Sequence, residues 1–172
     1  AHVCVFCDDR ALWVETAAGA DEPLLAHLDR YLITEDVQLA IRTNDFAELF
    51  VSGPRAPERL GRLGLDAGSL EPCGHVMARI GELPVAVRRV DWFHRPGCLL
   101  SVARDRLAEL WELAVSAGIS PAGSTAFDVS RIEAGLPEYG VDVTDDNLAQ
   151  EVARTARAVS FTKGCYLGQE PI

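Results

Sequence analysis

Short apolar runs separated by turn residues dominate the first hundred positions. Residues 2–7 and 11–15 are strand-like and flank Asp8-Asp9-Arg10, the pattern of a β-hairpin. Residues 22–33 carry Leu24, Leu25, Leu28, Tyr31 and Leu32 at helical spacing, with Pro23 tolerated in a first turn. Residues 37–42 alternate Val, Leu and Ile with polar or small residues and predict a strand. A further strand is predicted at 48–51, ended by Ser52-Gly53-Pro54, and a short helix at 55–63 with Leu60 and Leu63 facing inward. Residues 76–80 and 85–90 predict a second hairpin around Gly81-Glu82, and 98–102 another strand. The most regular helix is 104–117, where Leu107, Leu110, Trp111 and Ala114 form one apolar stripe and Gly118 stops the helix. Pro121 and Gly123 lead into a last helix at 124–134, ended by Gly135 and Pro137.

Strands and helices intermix without a regular β-α-β beat, so the expected class is α+β, a mainly antiparallel sheet packed by helices. No repeat is present and no linker is rich enough in Pro, Gly or Ser to mark a firm boundary. The expectation is a single domain over 1–172, with the glycine-rich 64–74 loop as a weak sub-domain boundary. A length of 172 residues with 48% hydrophobic side chains suffices for a sizeable core. The chain opens directly in an apolar strand-like run, which reads as cut from something longer or processed.

Charge narrows the function. A net charge of −10 and a pI near 4.8 repel phosphate backbones and anionic membrane surfaces, so neither direct nucleic-acid binding nor membrane association is expected. No apolar run approaches the ~20 residues needed to span a bilayer. Five cysteines, at 4, 7, 73, 98 and 165, form an odd set without a disulfide spacing, which points to a reducing, cytoplasmic location. The Cys4-x-x-Cys7 pair lies in a strand-like run, where period-two alternation sends one thiol inward and the other outward, against metal or redox chemistry. Cys73 and Cys98 read as small buried hydrophobes. His75 and His94 lack ligand-spaced partners and read as side chains making one hydrogen bond each. No metal site is expected, and Trp92, Phe93 and Phe127 read as core.

Chemistry concentrates toward the C-terminus. Lys163-Gly164-Cys165-Tyr166-Leu167-Gly168-Gln169-Glu170 places a cation two positions from a thiol, and glycines flank the pair. A nearby cation favours thiolate over thiol, so Cys165 reads either as a reactive thiolate served by Lys163 or as an inert surface cysteine. Upstream, Pro121 to Asp142 contains Arg131-Ile132-Glu133-Ala134-Gly135 and Tyr139-Gly140. The first motif resembles the Lys-Gly-Cys-Tyr-x-Gly-Gln-Glu signature of the YgfZ family. These are folate-binding proteins linked to iron–sulfur cluster maintenance and are paralogues of the glycine-cleavage T-protein, an aminomethyltransferase. The second motif resembles the Arg-x-Glu-Ala-Gly segment that T-proteins and YgfZ proteins share, and Ser52-Gly53-Pro54 resembles the superfamily's Gly-Pro after a strand. The three blocks occur in family order across nearly the whole chain.

The resemblance implies a T-protein/YgfZ-like folate-binding fold, here without the small C-terminal β-barrel of complete members. It implies that Glu133 grips the pterin of tetrahydrofolate, because a carboxylate accepts two hydrogen bonds in the fork that a ring N–H and an exocyclic amine present. The residue-level alternative is a salt-bridging surface glutamate. Arg131 lies three residues from Asp128 and either pairs with it or contacts ligand. Tyr139 either stacks on an aromatic ring or is half-buried with a wet hydroxyl. Lys163 either holds the anionic tail of folate or is solvated. The resemblance carries the essential role to Cys165, at the mouth of a pocket beside the 131–135 helix end, with folate and iron–sulfur client or assembly proteins as partners.

Two functions follow. The first is tetrahydrofolate binding in support of cluster assembly or repair, with no turnover required. The second is aminomethyl transfer to tetrahydrofolate. The T-protein's reactive Asp falls at or before Ala1, where this sequence has no Asp. The T-protein's Asn is replaced by Glu15 or Thr16. Both departures weigh against transfer. A fragment without ligand is the third possibility, and it would expose apolar surface.

Overall fold

The computed structural model describes residues 2–155 and 159–165. They divide into two compact units, 1–136 and 137–172, each described here by itself. The first unit holds ten regular elements in the order β1 (Val3–Cys7), β2 (Leu12–Thr16), α1 (Asp21–Asp29), β3 (Phe46–Ser52), α2 (Ala56–Arg62), β4 (His75–Ile80), β5 (Leu83–Arg89), β6 (Gly97–Ala103), α3 (Leu107–Ser116) and α4 (Ser124–Glu133). A 3-10 turn, Arg104–Arg106, leads into α3. The α+β class holds: β1 and β2 form a two-stranded sheet, and a four-stranded sheet runs β3-β6-β5-β4, all pairings antiparallel.

Both hairpins form where turn chemistry places them. Asp8 closes the first, its carboxylate accepting hydrogen bonds from the backbone N–H of Arg10 (2.7 Å) and Ala11 (2.8 Å) and from the indole of Trp13 (2.8 Å). Those bonds, led by the one from Arg10, hold the Asp8 carboxyl below its ordinary pKa. In the second hairpin Ile80 pairs with Leu83 across a two-residue turn. Gly81 adopts φ +59° there, a conformation that suits glycine and matches the twist of the strands.

The four-stranded sheet is covered on both faces. One face presents Val51, Val85, Val87, Cys98, Leu100 and Val102 to Ala56 and Leu60 of α2 and Leu110 of α3. The 64–74 loop adds Leu65 and Ala67 to this core. The opposite face carries Leu99 and Val90, packed against Phe6, Cys4 and Trp13 of the first hairpin. Central strand β6 is therefore buried at six consecutive positions, Gly97 to Val102, the continuous run of a strand without a solvent face.

Several sequence expectations need correction. Residues 37–42 form no strand; alternation marks a face but supplies no partner, and the β3 neighbour is β6. In α3 the inward stripe is Leu110, Leu113 and Ala114, continued by Ala117 just past the helix, while Trp111 is 46% exposed. A 100° step per residue turns Trp111 away from Leu110. Cys73 is exposed, unlike Cys98, because it occupies a turn with φ +64° rather than a strand. The first helix ends at Asp29, four residues before Ile33.

The second unit is short-range in character. Tyr139 bridges Val143, the Asn147 amide oxygen accepts from the Thr144 backbone N–H (2.8 Å), and Ala149–Val152 forms a 3-10 turn.

Candidate functional site

The face of the four-stranded sheet that packs against the first hairpin holds a charged centre that the chain assembles from three distant segments. Arg88 on β5, Glu48 on β3 and Glu15 on β2 meet there. One guanidinium nitrogen, Arg88 Nη1, lies 2.6 Å from Glu15 Oε1 and 2.9 Å from Glu48 Oε1. Register explains the meeting. Glu48 stands opposite Ser101 on β6, Ser101 opposite Ala86 on β5, and Arg88 lies two residues further along the same face. The Arg88 side chain is only 6% exposed. Its guanidinium carbon lies 5.5 Å from the Phe6 ring centroid and 5.6 Å from that of Trp13, so two aromatic faces complete its surroundings.

Two carboxylates share one cation here. Burial raises the Glu48 carboxyl from an ordinary 4.5 to about 6, the adjacent Glu15 charge adds to the rise, and Arg88 opposes it. The triad borders a cavity of about 580 Å³ whose walls are β2, α1, residues 38–43 and the start of β3. Leu24, Leu25 and Leu28 of α1 line it, and α1 buries no residue fully. The cavity is thus apolar along one wall and charged at one end, the composition of a small-molecule site. Sequence reading missed the triad. Its signal was a charged residue inside each of two mostly apolar strands, Glu48 in Phe46–Ser52 and Arg88 in Leu83–Arg89.

Of the residues singled out in the sequence, Arg131 and Glu133 lie on α4. Arg131 is buried in α4 and its Nε donates to Asp128 Oδ1 at 2.9 Å, one of the two alternatives their spacing left open. Glu133, the last residue of α4, is exposed, and among the described residues no hydrogen bond or ion pair engages its carboxylate. Neither residue lines the cavity of the triad. His94 reaches the same helix end, its Nε2 3.0 Å from the Ala134 carbonyl, the single hydrogen bond expected of it. An aromatic group adjoins α4: Phe127 lies 5.4 Å from Phe93 and 6.2 Å from Phe50, and Trp92 4.9 Å from Phe50. Phe127, expected in the core, is 37% exposed.

In the second unit the Tyr139 hydroxyl donates to Asp145, and that bond raises the tyrosine above its ordinary pKa. Lys163 and Cys165 are both exposed, with the Lys163 backbone N–H on Ser160 Oγ at 3.2 Å. The remainder of the C-terminal motif, residues 166–170, lies outside the described residues. At the N-terminal pair, Cys4 packs against the Phe6 cluster and Cys7 is exposed, the split that strand alternation predicts. Among the described residues no helix is long and apolar enough to cross a membrane.

Comparison with known proteins identifies relatives of the chain. An aminomethyltransferase of Deinococcus deserti is 29% identical over 146 residues, which cover 84% of this chain and 41% of that protein. One from Chlorobium chlorochromatii is 28% identical over 171 residues, 94% of this chain and 46% of the relative. One from Synechococcus sp. CC9311 is 32% identical over 135 residues, 77% and 37% of the two. The chain spans less than half the length of these relatives. Residues 2–163 match the GCVT N-terminal domain, a match over nearly the entire sequence, and the chain belongs to that family.

Proposed function

We infer that the chain binds tetrahydrofolate and that Cys165 serves iron–sulfur cluster assembly or repair, the role that its C-terminal motif shares with the YgfZ family. Family membership supports the folate. The observation that carries the reading is Glu133. A carboxylate on the last turn of a helix faces the negative end of the helix dipole, a cost of about 0.3–1 kcal/mol. Glu133 bears this without a protein partner among the described residues, while its neighbour Arg131 is turned to Asp128. An acid placed against its electrostatic preference and left unengaged suits a ligand with paired N–H donors, which a pterin supplies. Arg131 then positions the helix end. By the motif resemblance, Tyr139 and Lys163 are proposed folate-binding residues and Cys165 with Lys163 the reactive group. Iron–sulfur client or assembly proteins are the proposed partners and the cytoplasm the proposed location.

Titration of the chain with tetrahydrofolate, followed by calorimetry, tests the reading. Saturable binding that Glu133→Ala weakens at least tenfold is expected, and unchanged affinity in that variant would refute the assignment. Cys165→Ser should leave folate affinity intact and remove the chain's ability to restore activity to an iron–sulfur enzyme.

The names of the relatives favour a second reading, aminomethyl transfer to tetrahydrofolate. It is separated from the first by a direct assay: one-carbon transfer from an aminomethyl carrier would establish it, whatever happens at Cys165.

A further inference from the structure

We propose that His94 is a positioning residue for Glu133. Its ring fixes the end of α4 at which the carboxylate stands, so that tetrahydrofolate affinity depends on a side chain from the β5–β6 loop. The proposal rests on the reading of Glu133 as the pterin ligand.

The last carbonyls of a helix have no partner inside it. At the end of α4 two of them are satisfied by the chain that follows. The backbone N–H of Gly135 donates to the Ile132 carbonyl (3.0 Å) and that of Leu136 to the Arg131 carbonyl (2.8 Å). Gly135 takes φ +61°, the conformation of a glycine that stops a helix. The carbonyl of Ala134, next to Glu133, accepts instead from His94 Nε2 at 3.0 Å, a bond between residues forty apart in sequence.

The loop is shaped for this contact. His94 has φ +53°, a conformation uncommon for a residue with a side chain. In extended backbone neighbouring side chains point to opposite sides, and the left-handed turn at His94 breaks that alternation. Phe93 and His94 both reach α4: the Phe93 ring lies 5.4 Å from that of Phe127, and His94 meets Ala134. Phe127 and Ala134 are two turns apart along one face of the helix. Two adjacent loop residues thus grip α4 near its start and at its end. His94 is exposed, so its backbone strain is not repaid by burial. Strain kept at an exposed position, with the ring spent on one carbonyl beside an exposed acid, marks a positioning role rather than a packing one.

Calorimetric titration with tetrahydrofolate tests this on the unaltered chain, His94→Gly, His94→Gln, Glu133→Ala and the double variant His94→Gly with Glu133→Ala. Glycine suits the left-handed backbone, so His94→Gly should keep native circular dichroism and unfold at the same or a higher temperature. Its affinity should nevertheless fall about tenfold, because the acid is no longer held in place for the ligand. His94→Gln carries an N–H donor at a similar reach and should regain most of the loss. Added to Glu133→Ala, His94→Gly should change affinity by less than about twofold, since the group it positions is gone. A purely structural residue would lower stability and affinity together and act equally in both backgrounds, and that result would overturn the proposal. If Glu133→Ala weakens binding and His94→Gly does not, the positioning role is overturned and the folate reading stands. If Glu133→Ala leaves affinity unchanged, both fall. Should His94→Gly fail to fold, magnetic resonance of the unaltered chain decides: His94 Nε2 must carry a proton and the Gly135 amide must shift with tetrahydrofolate, and a bare Nε2 or an unmoved amide overturns the proposal.

Discussion

At the residue scale, the triad couples stability to pH with a sign opposite to that of most carboxylates. Glu48 titrates near 6 in the folded chain and near 4.5 when exposed, so between those values the folded state holds more protons than the unfolded one. Stability contributed by protonated Glu48 is complete below pH 4.5 and is lost as pH rises through 6. The shift of 1.5 corresponds to about 2 kcal/mol. Denaturant unfolding at pH 4.5 and pH 7 should therefore show a decline in stability from this group that is missing in Glu48→Gln. A variant that keeps the full decline would remove Glu48 as its source. The lowered acids Asp8 and Glu58, stabilised as anions by their hydrogen bonds, act in the other direction and only at lower pH. Arg88 is what makes an ionised Glu48 tolerable, and its own placement between Phe6 and Trp13 ties the charged centre to the packing of the first hairpin.

At the element scale, α3 separates two readings of one helix. Leu110 is fully buried, and Trp111 beside it is 46% exposed. Leu110→Ala should cost about 2–5 kcal/mol through lost burial and the cavity left behind. Trp111→Ala should cost roughly 0.5 kcal/mol, as for an ordinary surface position. Thermal or denaturant unfolding of the two variants decides it, and a larger loss at Trp111 would reverse the assignment of faces. The comparison also shows what was legible beforehand. Helix positions, both hairpins and strand β6 could be read because each depends on local chemistry, such as Asp8 at one turn, Gly81 at another and Gly118 past α3. Residues 37–42 were misread because a strand needs a neighbour, and period-two alternation carries no information about one. The triad was missed for a related reason. Glu15, Glu48 and Arg88 lie far apart in sequence, and only the register of β3, β6 and β5 brings the latter two together. The Arg131–Asp128 pair was visible in advance because three residues on one helix are always close.

At the scale of the whole molecule, charge and burial pull against each other. A net charge of −10 keeps copies of the chain apart near neutral pH, and the pI near 4.8 is where that repulsion vanishes. The surface it shields is not uniformly polar. Val5 and Val14 pair on the outer face of the first hairpin and are 50% and 39% exposed, with Leu12 at 66%. On α4, Val129 and Ile132 are 51% and 64% exposed. Contiguous apolar side chains without net repulsion associate. Light scattering should rise steeply as pH falls from 7.5 toward 4.8, and Val5→Lys with Val14→Lys should reduce the rise. The Glu48 titration sharpens the conflict, since the individual fold gains stability over part of the range in which copies lose their mutual repulsion. Association through surface contact is therefore expected ahead of unfolding. Scattering that increases while circular dichroism stays native supports this account, and scattering that follows loss of ellipticity contradicts it.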